Sequence, residues 1–408
     1  MRWIVSRAAW ILVCAAAACT PFGGPPEKTP PRADALVLTS ASFSDLPGWS
    51  SGQQAGAFTA LRRSCVSKKI KRPAQWPGAA LPQDAANMCA AAARFVVENS
   101  PEGDEKARRF FKRWFSVLHA SNNEKSQGLF TGYFEASLTG SRTPHPDYPT
   151  PLYRVPDNHV TVDLAQFAPS LGRRRVVGRV ENGALKPYFD RAAINAGALV
   201  GQELLWVSDP IDAFILHVQG SGRVSLPDGD VARVGFAGQN GHKYQSIGRA
   251  LIQRGDLKRG QASWPDIRAW IDANPDKAPA LLAVNKRYIF FKERAKSTSG
   301  GTADDAAVDD GPIGAQGVAL TPRRSLAVDR RFIPLGVPIW LDTTWPSSDK
   351  PIQRLMVAQD TGGAIKGPVR GDFFWGHGDA ALAQAGKMKS RGQYFILIPR
   401  TAPLGGTS

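Results

Sequence analysis

The chain has 408 residues, 43% of them hydrophobic, with 51 lysines and arginines against 35 acidic residues and a formal net charge of +16. That length and apolar share allow two or three domains with a substantial core and exclude a peptide or a disordered tail. The basic balance raises a nucleic-acid partner, but apart from short runs at Lys68-Lys69-Ile70-Lys71-Arg72 and Arg173-Arg174-Arg175 the charges are spread, and no aromatic-interleaved RNA motif accompanies them. No nucleic acid is expected.

In chain order, MRWIVSRAAWILVCAAAACT places arginines before and within a short apolar run ending in small residues, the pattern of a secretory signal over 1–19. Ala16-Ala17-Ala18-Cys19 resembles a bacterial lipobox, with Ala16 where leucine is more usual, so lipidation of Cys19 and simple signal cleavage both stand as readings. Either makes the mature chain exported, and the first places it in the periplasm on the inner face of the outer membrane. Residues 20–34, with GGPPEKTPPR from Gly23 to Arg32, read as an extended tether. For an exported protein the natural anionic partners are the cell wall and acidic lipid head groups.

A strand is expected at Ala35–Leu38, then helices at Gly52–Cys65, Asp84–Asn99 and Gly103–Ser121, the last from the spacing of Phe111, Trp114, Phe115 and Leu118. Cys65 and Cys89 remain for the folded part; in an oxidising compartment they suggest a disulfide, contributing roughly 3 kcal/mol, with two separately buried thiols as the other reading. From Gly128 the texture turns to short β-rich runs. Alternation in Asp212–Val218 puts Phe214, Leu216 and Val218 on one face and Ile215, His217 and Gln219 on the other, which predicts a strand. Helical texture returns at Tyr244–Arg254 and at Ser263–Ala273, where Ser263 and Asp266 make a capping pair. The β-rich middle is thus bracketed by helical segments. Thr298–Gly317 is a loop with an acidic cluster, followed by strand-like GVAL, SLAV, VPIWL, RLMVAQ and QYFILIP, with one helix at Asp379–Lys389. Mainly β with helices is the class this implies, an α+β fold with a compact barrel.

Three aspartates stand near strand ends of that barrel: Asp329, Asp360, and Asp372 in a loop after Gly367. Asp360-Thr-Gly matches the tripeptide of aspartic proteases, which need two such copies sharing one proton; the chain has one. A nucleophile elbow, zinc spacing among the six histidines and a phosphate-cradling loop are all absent from the sequence, so no metal and no cofactor is expected. Carboxylate acid/base chemistry remains.

Five ordered motifs carry a resemblance: GLFTGYFE from Gly128, ILHVQGSG from Ile215, GQNGHKYQSIG from Gly238, SLAVDRRFIPLGVPIW from Ser325, and DTGGAIKG from Asp360 with Asp372 beyond it. Together they resemble the MltA family of lytic murein transglycosylases, the C-terminal part being similar to its 3D domain. The resemblance implies a double-psi β-barrel from 35–130 and 240–400, its 3D region at about 311–400, with a smaller β-barrel inserted at 131–239 and a glycan groove between them. It also implies cleavage of the β-1,4 bond between N-acetylmuramic acid and N-acetylglucosamine in peptidoglycan, forming 1,6-anhydromuramoyl ends without net use of water. Peptidoglycan glycan strands are the expected substrate, and protein partners in wall remodelling are conceivable.

By motif position Asp372 matches the catalytic acid/base and Asp360 its partner, whose charge is expected to keep Asp372 protonated, with Lys366 opposing if it points inward. Thr131, Tyr133, Gln219 and Ser221 match groove positions, and Asp329 is expected to orient loops. Phe134 and Ala136 depart from the family pattern, where a hydroxylated aromatic and a proline are commoner. A non-catalytic peptidoglycan-binding protein is the alternative function, and an aspartyl endopeptidase a third.

Overall fold

The computed structural model describes residues 33–67, 82–172, 174–294 and 311–400. Cys19, the tether, the basic run at 68–72, Arg173 and most of the acidic loop lie outside them. The N-terminal part runs β1 (Leu36–Ala41), α1 (Phe58–Val66), α2 (Pro82–Arg94), α3 (Pro101–Trp114), β2 (Phe115–Asn122) and β3 (Gly128–Ser141). The middle follows as β4 (Thr150–Tyr153), β5 (His159–Asp163), β6 (Arg175–Glu181), β7 (Ala184–Pro187), a single turn α4 (Arg191–Ala193), β8 (Glu203–Val207), α5 (Pro210–Gln219), β9 (Ser221–Ser225) and β10 (Val231–Gln239). Then come α6 (Ile247–Arg254), α7 (Trp264–Ala273), α8 (Ala278–Val284), β11 (Ile289–Arg294), β12 (Ser325–Val328), β13 (Pro338–Thr344), β14 (Pro351–Asp360), β15 (Arg370–His377), α9 (Gly378–Ala385) and β16 (Lys389–Pro399). The fold is α+β, mostly strands with helices.

Six strands close on themselves in the order β3, β16, β13, β14, β12, β15 and back to β3, the last pairing and that of β12 with β14 being parallel. Closure removes the unpaired edges that an open sheet would expose. Strand β3 is long enough to serve twice: its first half lies in the ring, while Ala136–Thr139 pair with β9 and Gly140–Ser141 with β8. Beyond β9 the sheet continues through β10 to β11, and β5, β6 and β7 form a separate antiparallel sheet. Glu135, at the junction on β3, is 1% exposed and accepts from Arg223 Nε on β9 at 2.8 Å, with Arg233 of β10 at 3.6 Å. Breaking such a buried pair would strand a charge, which fixes how the two sheet halves meet.

Helices α1 to α3 pack Phe58, Leu61, Phe110 and Phe111 against Trp340, Leu355, Phe395 and Leu397 on the outside of the ring. The expected disulfide is present, joining Cys65 of α1 to Cys89 of α2 across 24 residues. Gln359, fully buried, links α1 to the barrel: its Nε2 donates to Ala60 O at 2.8 Å, and its Oε1 accepts from Ser325 Oγ at 2.5 Å.

Several elements differ from the sequence reading. The helix expected over Gly103–Ser121 stops at Trp114, and Phe115 enters β2 directly with φ −131 and ψ 147. There β2 is flanked by β1 and β16, so pairing on both sides outweighs the helical spacing of the aromatics. Asp212–Val218 is helix, not strand. Asp209 caps α5 by accepting from the amides of Ile211 and Asp212 at 2.6 and 3.3 Å, Pro210 opens it, and Gly220 closes it at φ 82. Residues 213–217 are all buried, so their sequence had no polar face from which a period could be read. The expected helices at 52–65, 84–99, 244–254 and 379–389 are shorter, and GVAL contributes only the bridge of Ala319 to Ile313. The pairing of Ser263 with Asp266 is a capping box, as expected.

Candidate active site

Asp372 does not sit in a loop. It lies on β15, with its loop ending at Val369, because Arg370–His377 pairs with β12 on one side and β3 on the other. A single rung crosses the barrel wall: Asp360, Ala327, Asp372, Thr131 and Lys389 are successive partners on β14, β12, β15, β3 and β16. Residues opposite one another point to the same face, and two strand spacings put the Asp360 and Asp372 backbones about 10 Å apart. A register shift between Leu326 and Ala327 aligns Ala327 with Asp360, a bulge that re-aims a side chain on the rung carrying both aspartates.

Thr131 Oγ1 donates to Asp372 Oδ1 at 2.5 Å and accepts from Arg370 Nη2 at 2.9 Å. Tyr133, two residues along β3 and therefore on the same face, donates its hydroxyl to Asp360 Oδ2 at 3.1 Å. The amide of Ala315 donates to the other oxygen, Oδ1, at 2.8 Å. Burial pushes the Asp372 carboxyl up to about 6; the Thr131 hydrogen bond and the Arg370 charge pull against it, and the Asp360 charge adds a smaller push upward. Like-charge repulsion therefore contributes in the expected sense, but desolvation is the larger cause. Asp372 keeps partial access to solvent, so it is both crowded by protein and reachable from outside. Burial also raises Asp360, opposed by the amides of Ala315 and Thr361, the Tyr133 hydroxyl and the charge of Arg294. The Tyr133 phenol is held far above its ordinary value, first by burial and then by the two carboxylates, and stays a donor.

Thr131 and Gly132 form part of the floor of a cleft of about 210 Å³ whose walls come from the end of α5, the approach to α6 and the start of α7. Gln219 lines it, and its Oε1 accepts from the Phe134 amide at 3.2 Å; Tyr244, Ser246 and Trp264 face it from the other side.

The model of the MltA specific insert domain matches residues 129–292, and that of the 3D domain matches 324–398. The chain is 33% identical over 287 residues to membrane-bound lytic murein transglycosylase A of Escherichia coli K12, covering 68% of this chain and 67% of that one. Crystalline MltA from Neisseria gonorrhoeae superimposes with a TM-score of 0.74 at 34% identity, over 89% of this chain and 93% of that one. The chain belongs to the MltA family of lytic murein transglycosylases. Escherichia coli MltA crystallised with bound chitohexaose is similar to it too, with a TM-score of 0.63 at 26% identity over 90% of this chain and 95% of that one.

In this MltA-family chain Thr131 with Asp372 and Tyr133 with Asp360 form two hydrogen-bonded pairs, with Gln219 at the adjoining cleft. Ser221 opens β9 opposite Gly235 and is not among the residues lining the cleft. Asp329 stands apart from the carboxylate pair, 4% exposed. It accepts from Gly367 N at 2.9 Å and from Arg331 Nη2 at 2.6 Å, pinning the turn that leads into β15. Burial alone would raise its pKa, but these hydrogen bonds and the Arg331 charge overcome it and hold the group near 2. Lys366 is exposed; Arg370 is the cation that acts on Asp372. Sequence reasoning missed Arg370, although its place two residues before Asp372 puts it on the same face once a strand is recognised. It also missed Ala315, which acts through its backbone, and Trp264, whose aromatic ring reads as core.

Proposed function

We propose that this chain cleaves the β-1,4 bond between N-acetylmuramic acid and N-acetylglucosamine in peptidoglycan by lytic transglycosylation, with Asp372 as acid and then base. The observation that carries this reading is the Asp372 carboxyl, held at about 6 by burial and hydrogen-bonded through Thr131 to the cleft floor. A carboxyl so raised retains a protonated fraction near neutral pH and can give its proton to the leaving glycosidic oxygen. As the C1–O bond breaks, positive charge develops on the ring, which Asp360, on the same rung, would stabilise in its charged form. The Asp372 carboxylate then removes the proton from the sugar's own C6 hydroxyl while that oxygen bonds to C1. One proton leaves Asp372 and one returns, and no water is consumed, so no second carboxylate is needed to activate water.

Tyr244 and Trp264 give the cleft aromatic surface suited to the apolar faces of sugar rings, and the relative crystallised with bound chitohexaose supports an oligosaccharide as ligand. We infer further that the chain is exported and attached through a lipidated Cys19; the support is the N-terminal sequence and the membrane-bound relative. Among the described residues no helix is long and apolar enough to cross a membrane.

Mass spectrometry of muropeptides released from purified peptidoglycan tests the reaction. Wild type should yield products one water lighter than hydrolysed muropeptides, and Asp372→Asn none while remaining folded. Reducing-end products from wild type, or undiminished release by the variant, would overturn the assignment.

A further inference from the structure

At the other end of β12 and β14 from the carboxylates lies a second cavity, of about 440 Å³, which the cleavage chemistry does not use. Arg324 immediately precedes β12, and Arg354 stands six positions before Asp360 on β14; with Arg323 they line a space closed by Gly56 and Thr59 and by Ser100 and Asp104 at the start of α3. The wall holds three arginines and one carboxylate, a formal 3 − 1 = +2. Asp104 is already engaged, accepting from the Ala55 amide at 2.8 Å.

Arg324 is buried, Arg354 partly buried and Arg323 exposed, and Arg324 is not paired as a buried cation ordinarily is. Arg324 is 7% exposed and donates through Nη1 to Leu355 O at 3.3 Å, a neutral partner. Among the described residues neither the Arg323 nor the Arg354 side chain bonds to a carboxylate, and Arg323 lies 6.0 Å over the ring of Trp375. Burial, and secondarily repulsion from Arg354, lowers Arg324 to about 9 against the opposing pull of Asp104, while burial and then Arg323 lower Arg354. Arg323 also occupies the left-handed region at φ 59, its amide held by Phe374 O at 2.7 Å. A side chain at Gly56 would come within 2.9 Å of Arg324 Nη2, so the glycine leaves the guanidinium its room. Ser100 Oγ accepts from Gly103 N at 3.1 Å, which leaves its proton free to donate, and it stands at the positive end of the α3 dipole.

We propose that this cavity binds a phosphate-type oxyanion, free or carried on a lipid headgroup, between Arg323, Arg324 and Arg354. Planar guanidinium groups offer paired donors matched to such oxygens, and an anion there would offset the repulsion among the three cations.

The full exported chain is titrated calorimetrically with inorganic phosphate at low salt and tested for binding to phosphatidylglycerol against phosphatidylcholine vesicles. Saturable phosphate binding at about 1 mM or tighter is expected, weakened about tenfold by Arg354→Gln and by the exposed-site variant Arg323→Ser. Muropeptide release should stay within about twofold of wild type in both, since the sites are independent. Preference for phosphatidylglycerol that both variants lose, without phosphate binding, would assign the anion to a lipid headgroup. Phosphate and vesicle binding that are absent, or present and equal in wild type and both variants, would overturn the proposal. Should Arg354→Gln not fold, Arg323→Ser carries the test.

Discussion

Replacing Thr131 with valine keeps the shape of the side chain but removes the hydroxyl that donates to Asp372 Oδ1 at 2.5 Å. Because this bond favours the charged carboxylate, its loss must raise the Asp372 pKa above about 6. A hydrogen bond to a charged group contributes about 1.5–3 kcal/mol, and with water reaching the partly exposed carboxyl roughly half of that survives. At 1.36 kcal/mol per unit, the shift is about one unit, to a pKa near 7. The acid must be protonated to act, so the alkaline limb of the pH–rate profile moves up by the same amount. At pH 7 the protonated fraction rises from about a tenth to about a half, and turnover relative to the variant's own acid plateau increases about fivefold. Thr131 also lines the cleft, so the absolute rate can fall through weaker binding; the position of the limb is the readout, from initial rates of anhydromuropeptide release between pH 4 and 9. A limb that stays in place or moves to lower pH would refute the assignment of Asp372 as acid with Thr131 as its tuning donor.

Three further outcomes follow from the same structure. A carboxyl whose folded pKa is raised from 3.8 to about 6 binds its proton more tightly in the folded state, so stability falls as pH rises through that window; Asp372→Asn removes this penalty and should gain up to about 3 kcal/mol at pH 7.5 but little at pH 4, read by denaturant unfolding at both. The double variant Cys65→Ser/Cys89→Ser opens a loop spanning 24 residues and should lose about 3 kcal/mol, with no further loss on adding reductant. At Gly132 an added Cβ would lie 2.6 Å from Trp375 Nε1 and 2.8 Å from the Ala385 backbone; Gly132→Ala should cost about 1–3 kcal/mol in urea titration and raise KM through a distorted cleft floor, and unchanged stability would contradict this packing.

The legibility of the site from sequence depended on how local each feature is. Asp360 and Asp372 were visible as motif positions, and the Ser263–Asp266 capping box as a signal four residues long. Cys65 and Cys89 could be paired because only two cysteines remained for the folded part, although two separate thiols fitted the sequence as well. Burial erased other signals. The α5 segment Pro210–Gln219 is apolar nearly all round, so alternating and helical periods fitted it equally, and the caps at Asp209 and Gly220 carried information that the alternation obscured. Arg370 was invisible as a site residue while Asp372 was read as part of a loop, since the face a residue shares with its neighbours exists only once the strand does.

By itself the sequence pointed to an enzyme of the MltA family rather than a two-motif protease, and it placed the starts of α2, α3, α7 and α9 to within two residues, because caps, prolines and hydrophobic spacing act over one or two turns. Only the tertiary structure decided how the candidate site is assembled. Thr131, Ala327, Asp360 and Asp372 are separated by up to 241 residues between bonded partners, and they meet because barrel closure puts their strands in one register. The raised pKa of Asp372 has the same origin: it comes from the protein packed around the carboxyl, which no run of neighbouring residues encodes.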